Sequence, residues 1–167
     1  MKIRELIKQT TRDFETGGRL SPRLDAEILL AHCLKKERQY LYINPDTSLA
    51  DGEVKHFLQL ASRRRQGEPV AYIIGRKAFW SALFEVNPQV LIPRPETEIL
   101  VEECLKVYAV PDAGHPGILE LGTGSGAIGV TLSMELENAR LVATDISPEA
   151  IAVARRNACR YGVEKRM

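Results

Sequence analysis

The chain has 167 residues, with 23 Lys and Arg against 22 Asp and Glu, and it is 44% hydrophobic and 27% charged. At ~100–200 residues per domain, that is one ordinary domain or a small domain followed by part of a larger one, and the balanced mixture excludes a disordered tail, a collagen-like repeat and a strongly basic nucleic-acid binder. No apolar run approaches the ~20 residues of a membrane span. The start Met1-Lys2-Ile3-Arg4-Glu5-Leu6 lacks a signal peptide's apolar stretch, so a cytoplasmic protein is expected.

Residues 1–69 read as a small helical bundle. Ile3, Leu6, Ile7 and Phe14 share one helical face, Gly17-Gly18 ends that helix, and Ser21-Pro22 opens the next with an N-cap and a first-turn proline. The second helix is expected to bury Leu24, Ile28, Ala31 and Leu34; after Asn44-Pro45-Asp46 a further helix presents Val54, Phe57, Leu58 and Ala61 and runs through Arg63-Arg64-Arg65 to Gly67. Residues 70–92 read as a β-hairpin linker, because Val70-Ala71-Tyr72-Ile73-Ile74 and Leu83-Phe84-Glu85-Val86 are short and rich in β-branched or aromatic residues. Residues 93–167 then read as part of an α/β domain. A helix from about Glu96 to Tyr108 should point Ile99, Leu100, Cys104 and Leu105 inward, and Val110 to Gly117 should be a loop. Strand Ile118–Leu121, a glycine loop, helix Ala127–Glu137, strand Arg140–Thr144 and a helix from Ser147-Pro148-Glu149 to about Tyr161 form a βαβα unit, which builds parallel sheet.

Cys33, Cys104 and Cys159 form no C-x-x-C pair, and His32, His56 and His115 are scattered, so reduced packing cysteines and no metal site are expected. The chemistry gathers in Gly122-Thr123-Gly124-Ser125-Gly126 and in Asp145. Without side chains at the three glycines a nucleoside can lie against the strand-to-helix turn, and Asp145, 21 residues after Gly124, stands where a carboxylate accepts both hydroxyls of a ribose. Gly124-Ser125-Gly126-Ala127-Ile128-Gly129 also satisfies the G-x-G-x-x-G dinucleotide fingerprint. Glu120, two residues before the first glycine, argues against a pyrophosphate and for the cationic, amino-acid-bearing end of S-adenosyl-L-methionine.

The segments Gly67-Glu68-Pro69-Val70-Ala71-Tyr72, Phe79-Trp80, Leu91-Ile92-Pro93-Arg94-Pro95-Glu96-Thr97-Glu98, Ile118 through Gly129 and Ala143-Thr144-Asp145-Ile146-Ser147-Pro148-Glu149-Ala150 resemble the HemK-type release factor glutamine methyltransferases. The resemblance is strong from Gly67 to about Asn157 and weaker before it. It implies a Rossmann-like, S-adenosylmethionine-dependent methyltransferase domain after the bundle, which methylates the glutamine side-chain amide of the Gly-Gly-Gln loop of peptide-chain release factors. It further implies that Glu120, Gly122, Thr123, Gly124, Ser125, Gly126, Asp145 and Ile146 line the cofactor, that Pro93, Arg94, Pro95 and Thr97 lie at the active-site rim, and that the bundle helps hold the release factor. A monomer without membrane attachment or sequence-specific nucleic-acid binding is expected. For Arg94 a surface ion pair with Glu96 or Glu98 is the competing expectation.

Two features depart from the family pattern. Ala78 stands where relatives commonly carry an acid. The family's Asn-Pro-Pro-Tyr segment, which orients the amide nitrogen, is not found: Asn44-Pro45-Asp46 and Asn87-Pro88-Gln89 do not continue as Pro-Tyr. The expectation is a C-terminally truncated enzyme without turnover of its own and with weak cofactor binding. Two other readings compete: a non-catalytic module docking a release factor or ribosomal surface through Arg63-Arg64-Arg65, and a fragment of an NAD-dependent oxidoreductase.

Overall fold

The computed structural model describes residues 1–108 and 117–167. They form two compact units, Met1–Ile74 and Gly75–Met167. The loop expected over Val110 to Gly117 lies, apart from Gly117, outside the described residues, as does His115.

The first unit is all helical: α1 (Ile3–Thr16), α2 (Pro22–Leu34), α3 (Arg38–Ile43), α4 (Asp51–Arg65) and α5 (Val70–Ile74). In α1 and α4 a glutamate in the first turn reaches back to the N-cap amide: Glu5 accepts the Lys2 N–H at 3.0 Å and Glu53 the Ala50 N–H at 2.8 Å. Ile3, Leu6 and Phe14 enter the core as their spacing predicts, joined by Leu29, Leu30, Leu41, Phe57 and Leu60. The expected stripes of α2 and α4 hold in part: Ala31, Phe57 and Ala61 are buried and Leu34 and Val54 pack against the core, whereas Leu24 and Leu58 are exposed and Leu29, Leu30 and Leu60 are buried in addition. The cause is that α2 packs against α1, α3, α4 and α5, so one amphipathic stripe does not describe it. Two of its acids are buried in ion pairs, Asp25 with Arg64 (2.7 Å) and Glu27 with Arg23 (2.9 Å).

The arginine triplet is therefore largely structural. Arg64 grips Asp25 and the Glu68 carbonyl, Arg63 binds Glu68 through both Nε and Nη2, and the Arg65 carbonyl accepts from Arg19.

The segment Val70–Ile74 is a helix, not the strand expected for it. A five-residue apolar run has the same pattern in a strand and in a buried helical turn. Its flanks decide: the Pro69 carbonyl accepts the Tyr72 and Ile73 amides at 3.0 and 3.1 Å, and Gly75, at φ 72°, takes the left-handed conformation that ends the turn. The turn packs on α2 and α4 and so belongs with the bundle.

The second unit opens with a hairpin of β1 (Arg76–Phe79) and β2 (Ala82–Glu85), antiparallel with Arg76 opposite Glu85 and Phe79 opposite Ala82. Its first strand thus lies beyond the expected one. The tight turn places Trp80 at φ 54°, and Glu98 and Glu135 hold it there, accepting the Trp80 backbone N–H at 2.7 Å and the indole N–H at 2.8 Å. After a 3₁₀ turn, Pro95–Thr97, comes α6 (Glu98–Tyr108), then β3 (Gly117–Leu121), α7 (Ala127–Glu135), β4 (Arg140–Thr144) and α8 (Pro148–Arg160). In α6, Ile99 and Leu100 are 60% and 51% exposed and Val101 is the buried residue, because the face packed on α7 carries Val101, Cys104 and Leu105.

Strands β3 and β4 are parallel, pairing Gly117 with Arg140 through Leu121 with Thr144. Ile118 and Leu141 join the core under α7 and α8, whereas Leu119, Leu121 and Val142 on the opposite face are exposed. Ser147 caps α8, its hydroxyl accepting the Ala150 N–H at 3.1 Å. No helix among the described residues is long and apolar enough to cross a membrane.

Candidate cofactor-binding site

The parallel pair delivers its two strand ends side by side, which places the glycine loop after β3 next to Asp145 after β4. The Thr144 carbonyl accepts both the Gly122 and Thr123 amides at 2.8 Å, and the Asp145 carboxylate accepts the Gly124 N–H at 2.8 Å and the Ser147 N–H at 3.0 Å. These amide donors hold the Asp145 carboxyl below the ordinary aspartate range, Ser147 and Gly124 being the main causes. The Ile146 amide adds a smaller contribution of the same sign. Ile146, beside it, is fully exposed.

The three loop glycines do different jobs. Gly122 and Gly124 have φ of 74° and 56°, and a Cβ on either would meet no atom within 4 Å, so the backbone there faces open space. Gly126 is the exception: a Cβ would stand 3.1 Å from the Ala154 Cβ and 3.2 Å from its Cα. Its missing side chain lets α8 approach the loop, which differs from the ligand-facing role expected of it.

A fourth glycine, Gly129 in α7, has a role that its place in the fingerprint does not reveal. A Cβ at Gly129 would lie 2.5 Å from the Glu120 Oε2 and 3.1 Å from the Leu141 Cδ2, so the bare backbone makes room for a carboxylate. Glu120 accepts the Thr123 hydroxyl at 2.8 Å and the Gly129 N–H. Burial is the larger influence and raises its pKa, against those two hydrogen bonds.

Glu120, Gly122, Thr123, Gly124 and Ser125 line one cavity of about 120 Å³ with Pro93, Arg94 and Thr97. Phe79, Leu91 and Ile128, which sequence reasoning did not assign, line it too. Pro95 instead begins the 3₁₀ turn and is not on that lining. Among the described residues Arg94 forms no ion pair with Glu96 or Glu98, and Glu98 is committed to Trp80. No group of three His, Cys, Asp or Glu side chains that could hold a metal occurs among the described residues.

Asn157 is the residue that pattern reading missed. Fully buried on α8, it accepts the Glu85 N–H at 2.8 Å and donates to the Glu85 carbonyl at 3.0 Å and the Ser125 carbonyl at 2.8 Å. It thereby pairs with β2 much as a neighbouring strand would, and ties the hairpin to the glycine loop. Arg156 reinforces the joint by binding the Glu85 carboxylate, at 2.7 Å from Nη2. A lone asparagine in an otherwise apolar helix face is the only sequence signal for it.

Comparison with known proteins agrees with this architecture. Residues 5–75 match a family model described as the PrmC N-terminal domain, and residues 118–167 match one described as a methyltransferase domain. The chain is 43% identical over 161 residues to a release factor glutamine methyltransferase of Vibrio cholerae, covering 96% of this chain and 55% of that protein. It is 42% identical over 166 residues to one of Chlorobaculum tepidum, covering 98% and 56%. A bifunctional methyltransferase of Rickettsia felis is 40% identical over 190 residues, covering 99% of this chain and 36% of the relative. The chain spans about half the length of the release factor enzymes it matches. The two family models fall on the two structural units in order, and the similarity to release factor glutamine methyltransferases runs over nearly the whole of this chain.

Proposed function

We propose that this chain binds S-adenosylmethionine and forms the donor-binding part of an enzyme that methylates the glutamine side-chain amide of peptide-chain release factors. The single observation that carries the reading is the open backbone at Gly122 and Gly124 beside a carboxylate, Asp145, already oriented by two amides. The Asp145 carboxylate accepts the ribose hydroxyls. Gly122 and Gly124 let the nucleoside rest on the main chain, with Thr123 and Ser125 between them, and Gly126 secures the loop against α8. The exposed Ile146 offers an apolar surface for a base. When bound, the donor supplies an electrophilic methyl group on a sulfonium.

Glu120 supports this donor over a dinucleotide. Its carboxylate occupies the space beside Gly129, where a pyrophosphate would meet a negative charge, and a cationic amino-acid end would relieve its raised pKa. Arg94 and Thr97, on the same cavity, stand at the rim where the substrate's amide side chain arrives. The residues described here carry donor binding in this reading. A monomer working in the cytoplasm on a protein substrate, with no nucleic-acid or membrane partner, goes with this reading. Thermal denaturation with each ligand tests it: a ligand that binds the native state raises the melting temperature, and S-adenosylmethionine should do so where NAD does not.

A further inference from the structure

We infer that Trp80 is a positioning residue of the donor cavity, clamping the hairpin turn to the two helices that carry the cavity walls. The inference rests on the donor-binding reading above and deepens it. Trp80 takes the first place of a two-residue hairpin loop, between Phe79 of β1 and Ala82 of β2, at φ 54°. Glycine is the usual occupant of such a place, because a bulky side chain is disfavoured in the left-handed region. A backbone of this kind persists only where its surroundings impose it, and such positions gather at ligand sites.

Two carboxylates impose it here. The Trp80 backbone N–H donates to Glu98 at 2.7 Å and its indole N–H to Glu135 at 2.8 Å. Glu98 begins α6 directly after the 3₁₀ turn Pro95–Thr97, so the first bond fixes the segment that brings Arg94 and Thr97 to the cavity. Glu135 ends α7, whose first turn supplies Ala127 and Ile128 to the same lining. At a rise of 1.5 Å per residue, Glu135 lies about 12 Å along the axis from Ala127, so a hold on the far end of the helix sets the tilt of the near one. Phe79, the residue before Trp80, is itself on the lining and packs edge-on against Phe84 with ring centres 6.0 Å apart. One residue thus ties the rim turn, the α7 wall and the hairpin's own contribution to the cavity into a single arrangement. Both acceptors are carboxylates, which makes the bonds stronger than neutral ones, and no other aromatic side chain offers an N–H in the place of the indole.

Such coupling is reciprocal: if the clamp favours donor binding by some factor, bound donor strengthens the clamp by the same factor. Trp80 is the chain's one tryptophan, so its indole N–H gives a single proton resonance whose exchange with solvent reports the bond to Glu135. The test joins calorimetry of the 167-residue chain with S-adenosylmethionine to that exchange rate. Trp80→Phe and Glu135→Ala should each weaken donor binding about fivefold, and the double variant should bind no more weakly than either. Glu135→Gln keeps the acceptor oxygen and should bind within about twofold of the wild type. Saturation with donor should slow indole exchange in the wild type by about the same fivefold, a response that a merely structural tryptophan does not give. Donor binding that both single variants leave unaltered, a Gln variant as weak as the Ala variant, or indole exchange indifferent to the donor overturns the clamp and spares the proposed function. No donor binding by the wild type overturns the donor reading and the clamp with it. The exchange measurement needs no substitution, so it decides the matter even if a variant fails to fold.

Discussion

Replacing Asn157 by Ala should loosen the joint between the hairpin and the glycine loop. The side chain is fully buried and makes three hydrogen bonds of 2.8, 3.0 and 2.8 Å, two to the Glu85 backbone and one to the Ser125 carbonyl. Truncation leaves one N–H and two carbonyls without that partner, at about 1–3 kcal/mol for each buried group. Glu85 is only partly buried, and water can reach its backbone once the amide is gone, so the low end applies and the total is roughly 3 kcal/mol. Urea unfolding followed by near-UV absorption and circular dichroism should therefore show a midpoint shift of that size with an unchanged slope. Asn157→Asp sharpens the test. It keeps the acceptor for the Glu85 amide but turns a second acceptor toward two carbonyls, so it should be at least as unstable as the Ala variant at neutral pH and recover in acid, where the protonated carboxyl donates again. A loss under about 1 kcal/mol in the Ala variant, or no acid recovery in the Asp variant, would refute the strand-like role given to this side chain.

Other substitutions separate the jobs of the loop. Gly129→Ala gains about 1 kcal/mol of helix propensity, yet its Cβ would sit 2.5 Å from Glu120, and overpacking of about 1–3 kcal/mol should prevail; chemical denaturation measures the sign. Asp145→Asn should weaken S-adenosylmethionine binding roughly tenfold to a hundredfold by calorimetry, because a charged acceptor of two hydroxyls is lost. The Glu120 carboxyl is raised in the fold, so the native state holds its proton over a range where the unfolded chain has released it, and stability falls as pH climbs through that window above the ordinary glutamate value. Glu120→Gln should remove that slope from melting curves and stabilise the chain at neutral pH while reducing donor affinity. Asp145 carries the opposite sign: its lowered pKa contributes stability that is present above the ordinary aspartate value and disappears as pH falls through the folded one. Asp145→Asn should therefore lose this part of the acid limb.

The site was more legible in the sequence than the packing around it. A glycine loop after a strand and an acid after the next one are separated by a helix of fixed rise, so the chain order alone brings Gly124 to Asp145. The division of labour among the glycines was not legible, since Gly126 and Gly129 face neighbours that a linear pattern does not name, Ala154 and Glu120. In helix α2 the reason is related: a helix packed on several sides buries Ala26, Leu29 and Leu30 along with paired acids, so no single apolar stripe marks its inner face. Val70–Ile74 failed because strand and helical turn share a composition there, although Pro69 and Gly75 framed the turn. Asn157 left no pattern at all, because its partners are backbone groups far away in sequence.

The most direct measurement is a calorimetric titration of the purified chain with S-adenosylmethionine and, separately, with NAD. Heat of binding with S-adenosylmethionine that is abolished or strongly reduced in Asp145→Asn, and none with NAD, is the predicted result. Binding of NAD without uptake of S-adenosylmethionine, or S-adenosylmethionine binding indifferent to Asp145, would contradict the account.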